Sequence, residues 1–293
     1  MLNAEQIAHC NRLLLEGLSE FLNERPDFID ADAIRELTAD GALSAEDAFS
    51  LMLAAYLGLS VGENAFHREI YAAYFPEMLR PLDAAVYRDD PYYRAVKLPD
   101  AREGKWEFRT LRYKPYEAFA CDDLLWRPDG RLIPQIGYFE EVFEYPCVLE
   151  SGREWMLITP NEINTMAPHV KAAYGRVLTY GLGLGYYAYM VARKVEVESV
   201  TVVERDADAV ALFERHIRPQ FGASGEKIRV VRSDAFEFAE REMGKGGYNY
   251  VFTDLWHDPS DGVALYHRMK AMEKYSPGSE FGYWIEDTIR CYE

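Results

Sequence analysis

The chain has 293 residues, of which 49% are hydrophobic, enough to fill one large core or two modest ones. Its net charge of -17 comes from 49 acidic against 32 basic residues with no basic cluster, a balance that repels phosphate backbones and argues against nucleic acid as a partner. A mean hydropathy of -0.28 without a long apolar run argues against a membrane span.

The opening residues Met1-Leu2-Asn3-Ala4 lack the basic-then-apolar layout of a signal peptide, so a cytoplasmic location is expected. Cys10, Cys121, Cys147 and Cys291 are scattered, and the histidines show no HxxxH or HExxH spacing. Reduced thiols and no metal site are expected.

Residues 1–100 read as a helical region. Leu13, Leu14, Leu18, Phe21 and Leu22 recur at helical spacing up to Pro26. Ser44 is placed to cap a second helix carrying Phe49, Leu51, Met52 and Leu53. A third runs from Glu63 to about Leu79, ending near Pro76 or Pro81. Its apolar stripes read as core or as contacts of a homo-oligomer.

Residues 101–158 read as a small antiparallel β region. Trp106–Tyr113 alternates apolar and polar residues, and Pro128-Asp129-Gly130 is turn chemistry between two short strands. Tyr138 to Leu149 and Glu154 to Ile158 form another hairpin around Ser151-Gly152.

Residues 159–293 alternate helix and strand. Thr159-Pro160-Asn161-Glu162 has the pattern of a capping box with proline at the first helical position. Strands follow at Arg176–Tyr180, Ser199–Glu204, Ile228–Ser233, Tyr248–Thr253 and near Phe281–Ile285, with helices between. Such alternation predicts an α/β fold with a parallel sheet, whose ligands bind beyond the strand C-termini.

The strand ends carry the candidate chemistry. Gly181, Gly183 and Gly185, with Leu182 between, follow Tyr180 where a strand turns into a helix, so backbone can approach a ligand without an intervening Cβ. Glu204, next to Arg205, ends the second strand and can accept hydrogen bonds from ribose hydroxyls. Asp234 with Ala235 ends the third and can read an adenine edge; Asp254 ends the fourth. Any one of these acids alone is more commonly a helix cap or a solvated strand end. The pattern Gly183-x-Gly185-x-x-Ala188 also fits a nicotinamide-binding fingerprint, but the strand-like residues stop at Tyr180, before Gly181. Asp254 and His257 are the candidates for proton handling, and Trp256 for stacking on a substrate.

Together, Val177 to Gly185, Val202-Val203-Glu204, Ser233-Asp234-Ala235 and Val251-Phe252-Thr253-Asp254 resemble the class I S-adenosylmethionine-dependent methyltransferases and their relatives the spermidine synthases. The likeness spans about Arg176 to Asp287 and implies a Rossmann-like sheet. It implies S-adenosylmethionine as cofactor, with Gly181, Gly183 and Gly185 along its methionine part, Glu204 on the ribose and Asp234 with Ala235 at the adenine. Tyr180 and Tyr186 flank the loop as further ligand contacts.

Three departures stand out. Methyltransferases usually carry an acid where this chain has Thr179, and spermidine synthases an Asp where it has Leu184. Only about one strand follows Asp254, so a sheet truncated after its fifth strand is expected. Three functions stay open: a methyltransferase acting on a small molecule, a spermidine synthase-like aminopropyltransferase acting on an amine, and a non-catalytic adenosine-binding or scaffold protein. Asp254 with Asp258 favours the second, because acids there resemble the polyamine-holding loop.

Overall fold

A computed structural model of the chain describes residues 2–292. They form two compact units, each assembled from two stretches: Met1–Ala85 with Arg112–Glu144, and Val86–Leu111 with Tyr145–Glu293.

In the first unit, helix Ala4–Glu24 buries Ile7, Cys10, Leu14, Leu18 and Phe21 along one face. Asn3 and Gln6 cap it reciprocally, each side chain accepting from the other's backbone N–H at 2.9 Å. Helix Ala45–Tyr56 starts as expected, with Ser44 Oγ accepting from Asp47 N–H. Helix Ala65–Met78 is capped by Asn64, one residue past the expected start. Pro76 does not end it; it lies in the last turn, where a missing donor forfeits a single ladder bond. The chain then enters strand Leu79–Pro81, which runs parallel to Ile136–Tyr138.

That pairing corrects the expected single antiparallel sheet. Ile136–Tyr138 pairs parallel with Leu79–Pro81 and antiparallel with Phe119–Ala120, while Leu125–Trp126 and Leu132–Ile133 form a separate hairpin. Alternation and turn residues disclose a strand, but not which distant strand it joins. The hairpin Phe143–Glu150 with Arg153–Leu157 belongs to a further four-stranded sheet, as does Trp106–Tyr113.

The second unit is a mixed α/β body around a five-stranded, all-parallel sheet consistent with a Rossmann-like fold. Its elements are α1 (Pro160–Ala172), β1 (Gly175–Tyr180), α2 (Tyr186–Ala192), β2 (Val197–Glu204), α3 (Ala207–Leu212), β3 (Ile228–Arg232), α4 (Ala235–Phe238), β4 (Tyr250–Thr253), α5 (Pro259–Lys270) and β5 (Glu280–Tyr283). The strand order is β3-β2-β1-β4-β5. Val177, Leu178, Thr179 and Tyr180 are all buried, as a strand covered by helices on both faces requires. The order reverses at β1, which places a crevice between the C-terminal ends of β1 and β4.

The sequence zones 1–100, 101–158 and 159–293 run consecutively, whereas this unit also draws on Val86–Leu111, which supplies part of the site described below. Among the described residues, no helix is long and apolar enough to cross a membrane.

Candidate functional site

The loop after β1 is shaped by three left-handed glycines: Gly181 at φ +95°, Gly183 at +54° and Gly185 at +75°. At Gly181 the demand is absolute, because a Cβ would stand 2.0 Å from the backbone carbonyl oxygen of Asp254. Gly185 caps α2, and a Cβ there would meet the Phe213 ring at 2.5 Å. Only Met156 Sδ, at 3.2 Å, would touch a Cβ on Gly183.

The loop is braced from far upstream. Tyr92, fully buried, donates its hydroxyl to the Leu184 carbonyl at 2.6 Å. Tyr186 donates to Asp90 Oδ2 at 3.1 Å, and the rings of Tyr186, Tyr189 and Phe221 surround Tyr92. Tyr92→Phe strands a buried carbonyl and is expected to cost about 1–2 kcal/mol in urea denaturation. An unchanged midpoint would show that the bond contributes nothing.

Beyond the strand ends lies a cavity of about 300 Å³. Of the residues expected to form a site, Gly181, Leu182, Gly183, Glu204, Arg205, Asp234, Ala235, Asp254 and His257 line it. Two do not. Tyr180 is fully buried on the other face of β1, with its hydroxyl on Met243 Sδ, and Gly185 packs behind the loop against Phe213 and Phe221. Alternation along β1 explains the first: Thr179 lines the cavity, so its neighbour Tyr180 points away.

Glu204 holds the loops together. Its Oε1 accepts from Asp206 N–H at 2.8 Å and its Oε2 from Leu182 N–H at 3.3 Å, joining the end of β2 to the glycine loop. Each oxygen keeps a lone pair for a ligand hydroxyl. Asp234 Oδ1 caps α4, accepting from Phe236 and Glu237 N–H. Lys105 lies at the rim, paired with Glu150 and, at 3.4 Å, with Asp206.

One group not anticipated from sequence is Glu162. Thr159 makes no side-chain capping bond, and Glu162, instead of closing a capping box, lines the cavity with Asp254. Both side chains are half-buried, and the walls of the cavity keep part of the water from their carboxyls. Asp254 is pushed up to about 7, and Glu162 well above the usual carboxylate range, with the Asp254 charge adding to the effect of burial. No lysine, arginine or histidine among the described residues forms an ion pair with either.

His257 stands further out. Its side chain is 43% exposed, with Nδ1 3.4 Å from Asp258 Oδ2 and its ring 5.7 Å from that of Trp155. Asp258 itself is a helix cap: it accepts from Ser260 N–H, and Asp261 accepts from its N–H in return. It does not line the cavity, so the acid that shares the cavity with Asp254 is Glu162 rather than Asp258. Tyr187 and Trp256 also line the cavity, each with a buried polar atom that has no hydrogen-bond partner.

Seven carboxylates line the cavity, Glu150, Glu162, Glu204, Asp206, Asp234, Asp254 and Asp261, against Lys105 and Arg205. That lining opposes a pyrophosphate, which counts against a nicotinamide dinucleotide, and it favours a ligand with hydroxyls and a positive centre. S-adenosylmethionine has both, so the residues fit it.

No protein-family model matches the chain, and no curated protein does. Among solved structures, it is similar to a proposed O-methyltransferase from Klebsiella pneumoniae, with 17% identity over 38% of this chain and 47% of that one, at a TM-score of 0.29. It is likewise similar to precorrin 8W decarboxylase from Methanobacterium thermoautotrophicum, with 15% identity over 38% of this chain and 54% of that one, at a TM-score of 0.28. The matched stretch thus spans about half the length of each of those proteins.

Proposed function

We propose that the second unit binds S-adenosylmethionine in this cavity and transfers its methyl group to a small-molecule acceptor. The observation that carries the reading is Glu204: a carboxylate at the end of β2, fixed by two backbone N–H groups and lining the same cavity as the glycine loop. In this reading Glu204 accepts the ribose hydroxyls, Asp234 and the Ala235 N–H read the adenine, and Gly181 and Gly183 let the backbone approach the methionine part.

S-adenosylmethionine, when bound, would supply an electrophilic methyl on a sulfonium, from which the neutral thioether S-adenosylhomocysteine is the leaving group as an acceptor bonds to the methyl carbon. The protein's contribution is mainly positioning and exclusion of water. Trp256 and Tyr187 wall the cavity. Asp254, raised toward neutrality, takes the proton that the acceptor loses.

Calorimetric titration with S-adenosylmethionine and S-adenosylhomocysteine tests the proposal; no heat and no thermal shift would sink it. Glu204→Gln is expected to weaken binding about 10- to 100-fold, since a charge-assisted hydrogen bond contributes about 1.5–3 kcal/mol. Unchanged affinity would mean that Glu204 is not the ribose contact.

A second reading is favoured by Glu162 lining the same cavity as Asp254: aminopropyl transfer to an amine. Turnover with decarboxylated S-adenosylmethionine and putrescine, and none with S-adenosylmethionine, would select it.

A further inference from the structure

Glu150, Trp155, Met156, Leu157 and Ile158 line the cavity and come from one hairpin, whose second strand, Arg153–Leu157, is the edge strand of its sheet. The hairpin is anchored where it meets α1. Ile158 N–H donates to the Pro146 carbonyl at 3.0 Å, and the Ile158 carbonyl accepts from the Tyr93 hydroxyl. Nearer the turn the register slips: Val148 pairs with Met156 but Leu149 with Glu154, which leaves Trp155 as the extra residue of a bulge. A bulge bends its strand and re-aims a side chain. Here the Trp155 ring meets that of His257 at 5.7 Å and that of Trp106 at 6.1 Å. The adjoining Met156 Sδ lies against the glycine loop, 3.2 Å from where a Cβ on Gly183 would stand.

The tip beyond the bulge is held at Lys105. Its carbonyl accepts from Ser151 N–H at 2.8 Å, and its ammonium pairs with Glu150 and, at 3.4 Å, with Asp206 beyond the end of β2. Lys105 is itself fixed to the α/β body. Gly104 packs on α3 so closely that a Cβ would stand 2.2 Å from Asp208 Oδ2, and Glu103 pairs with Arg215.

We propose that residues 149–155 are a gate over the cavity, latched by Lys105, which lifts to let an adenosine ligand enter and leave. The inference rests on reading this cavity as the ligand site. With the tip down the cavity holds about 300 Å³, the lower end of the about 300–1,000 Å³ typical of small-molecule sites. A ligand and an acceptor together need the tip raised. The latch can set a rate without locking the site: the Lys105 and Glu150 side chains stay 44% and 25% exposed, and ion pairs in such a setting are weak and screened by salt. Opening at the bulge breaks the Lys105 and His257 contacts and leaves the parallel sheet and the anchored end untouched.

A gate alters rates without altering affinity, whereas a direct ligand contact alters affinity. The experiment is stopped-flow tryptophan fluorescence on the full chain with S-adenosylhomocysteine, which carries no net charge near neutral pH. Trp106, Trp155, Trp256 and Trp284 line the cavity and report binding. Lys105→Met is expected to raise the association and dissociation rate constants together, each about 3- to 10-fold, with their ratio kept within about twofold. Glu150→Gln, which frees the tip yet leaves Lys105 on Asp206, is expected to do the same. Wild-type rates should rise between about 50 and about 500 mM salt, and those of the variants stay level. In the ligand-free protein, amides of residues 149–155 should exchange hydrogen faster in both variants, while those of β1 and β4 do not change.

Folded variants with wild-type exchange at the tip, or with wild-type ligand rates, would overturn the gate. So would faster dissociation alone with an equal loss of affinity, which would make the pair a ligand contact. Should Lys105→Met fail to fold, Glu150→Gln decides. If S-adenosylhomocysteine does not bind wild type, the adenosine reading falls, and exchange at the tip by itself decides whether the latch exists.

Discussion

Gly181→Ala is expected to destabilise the second unit by at least about 3 kcal/mol and to abolish ligand binding. Two costs add. An alanine at φ +95° pays about 1–3 kcal/mol of backbone strain, and its Cβ would stand 2.0 Å from the Asp254 carbonyl oxygen. No side-chain rotation relieves that overlap, because the obstacle is backbone held by Asp254 N–H to the Tyr180 carbonyl at 3.0 Å. The crevice between β1 and β4 must open, taking Asp254 with it. Gly183→Ala is the control: its φ is also positive, but its Cβ would meet only the flexible Met156 side chain. A cost of about 1 kcal/mol is expected there. Urea denaturation of both variants decides the matter; equal losses would show that the close approach of Asp254 is unimportant.

Glu162→Gln is expected to stabilise the ligand-free protein at alkaline pH. Burial raises both Glu162 and Asp254 above the unfolded carboxylate range, so the folded state keeps a proton that the unfolded chain releases. That contribution is fully present below the unfolded values, near pH ~4, and is lost as pH rises through the raised ones, toward 7 and beyond. Every tenfold gain in a carboxyl's proton affinity on folding corresponds to about 1.4 kcal/mol. Removing one carboxyl should leave the variant about 1–3 kcal/mol more stable than wild type at pH 8, with the gap closing by pH 5. Thermal melts across that range measure it. A gap that stays constant with pH would mean that the two carboxyls do not titrate together.

The parallel sheet and most of the strand-end residues were legible because they obey local rules. Buried β-branched strands announce themselves, and Gly181, Gly183, Glu204, Asp234 and Asp254 sit at fixed offsets from them. Glu162 was not legible, for a specific reason. It stands three residues after Thr159, the spacing of a capping box, and local spacing cannot tell a carboxyl that turns back to its own helix from one that turns to a distant strand end. Asp258 was the reverse case: a candidate substrate acid by sequence, it is a capping residue whose partner Asp261 lies three positions on. Tyr180 was expected at the ligand because it adjoins the loop, yet strand alternation turns it away. Trp106 and Lys105, which both line the cavity, escaped notice because they come from a segment that the sequence assigns to another zone, and no periodicity reports a contact about a hundred residues away.

The bond from Tyr92 to the Leu184 carbonyl spans 92 residues. During synthesis Tyr92 leaves the ribosome well before the glycine loop exists, and the whole of Arg112–Glu144, which belongs to the other unit, is made in between. At about 5–20 residues per second, the aromatic brace waits several seconds for the loop that it will hold. A fragment beginning at Thr159 would retain all five parallel strands and still lack Tyr92, Asp90 and Trp106. Its sheet can form early, but the loop beyond β1 acquires its support only when the upstream segment docks, so assembly of the pocket is a late event in folding even though its scaffold is local.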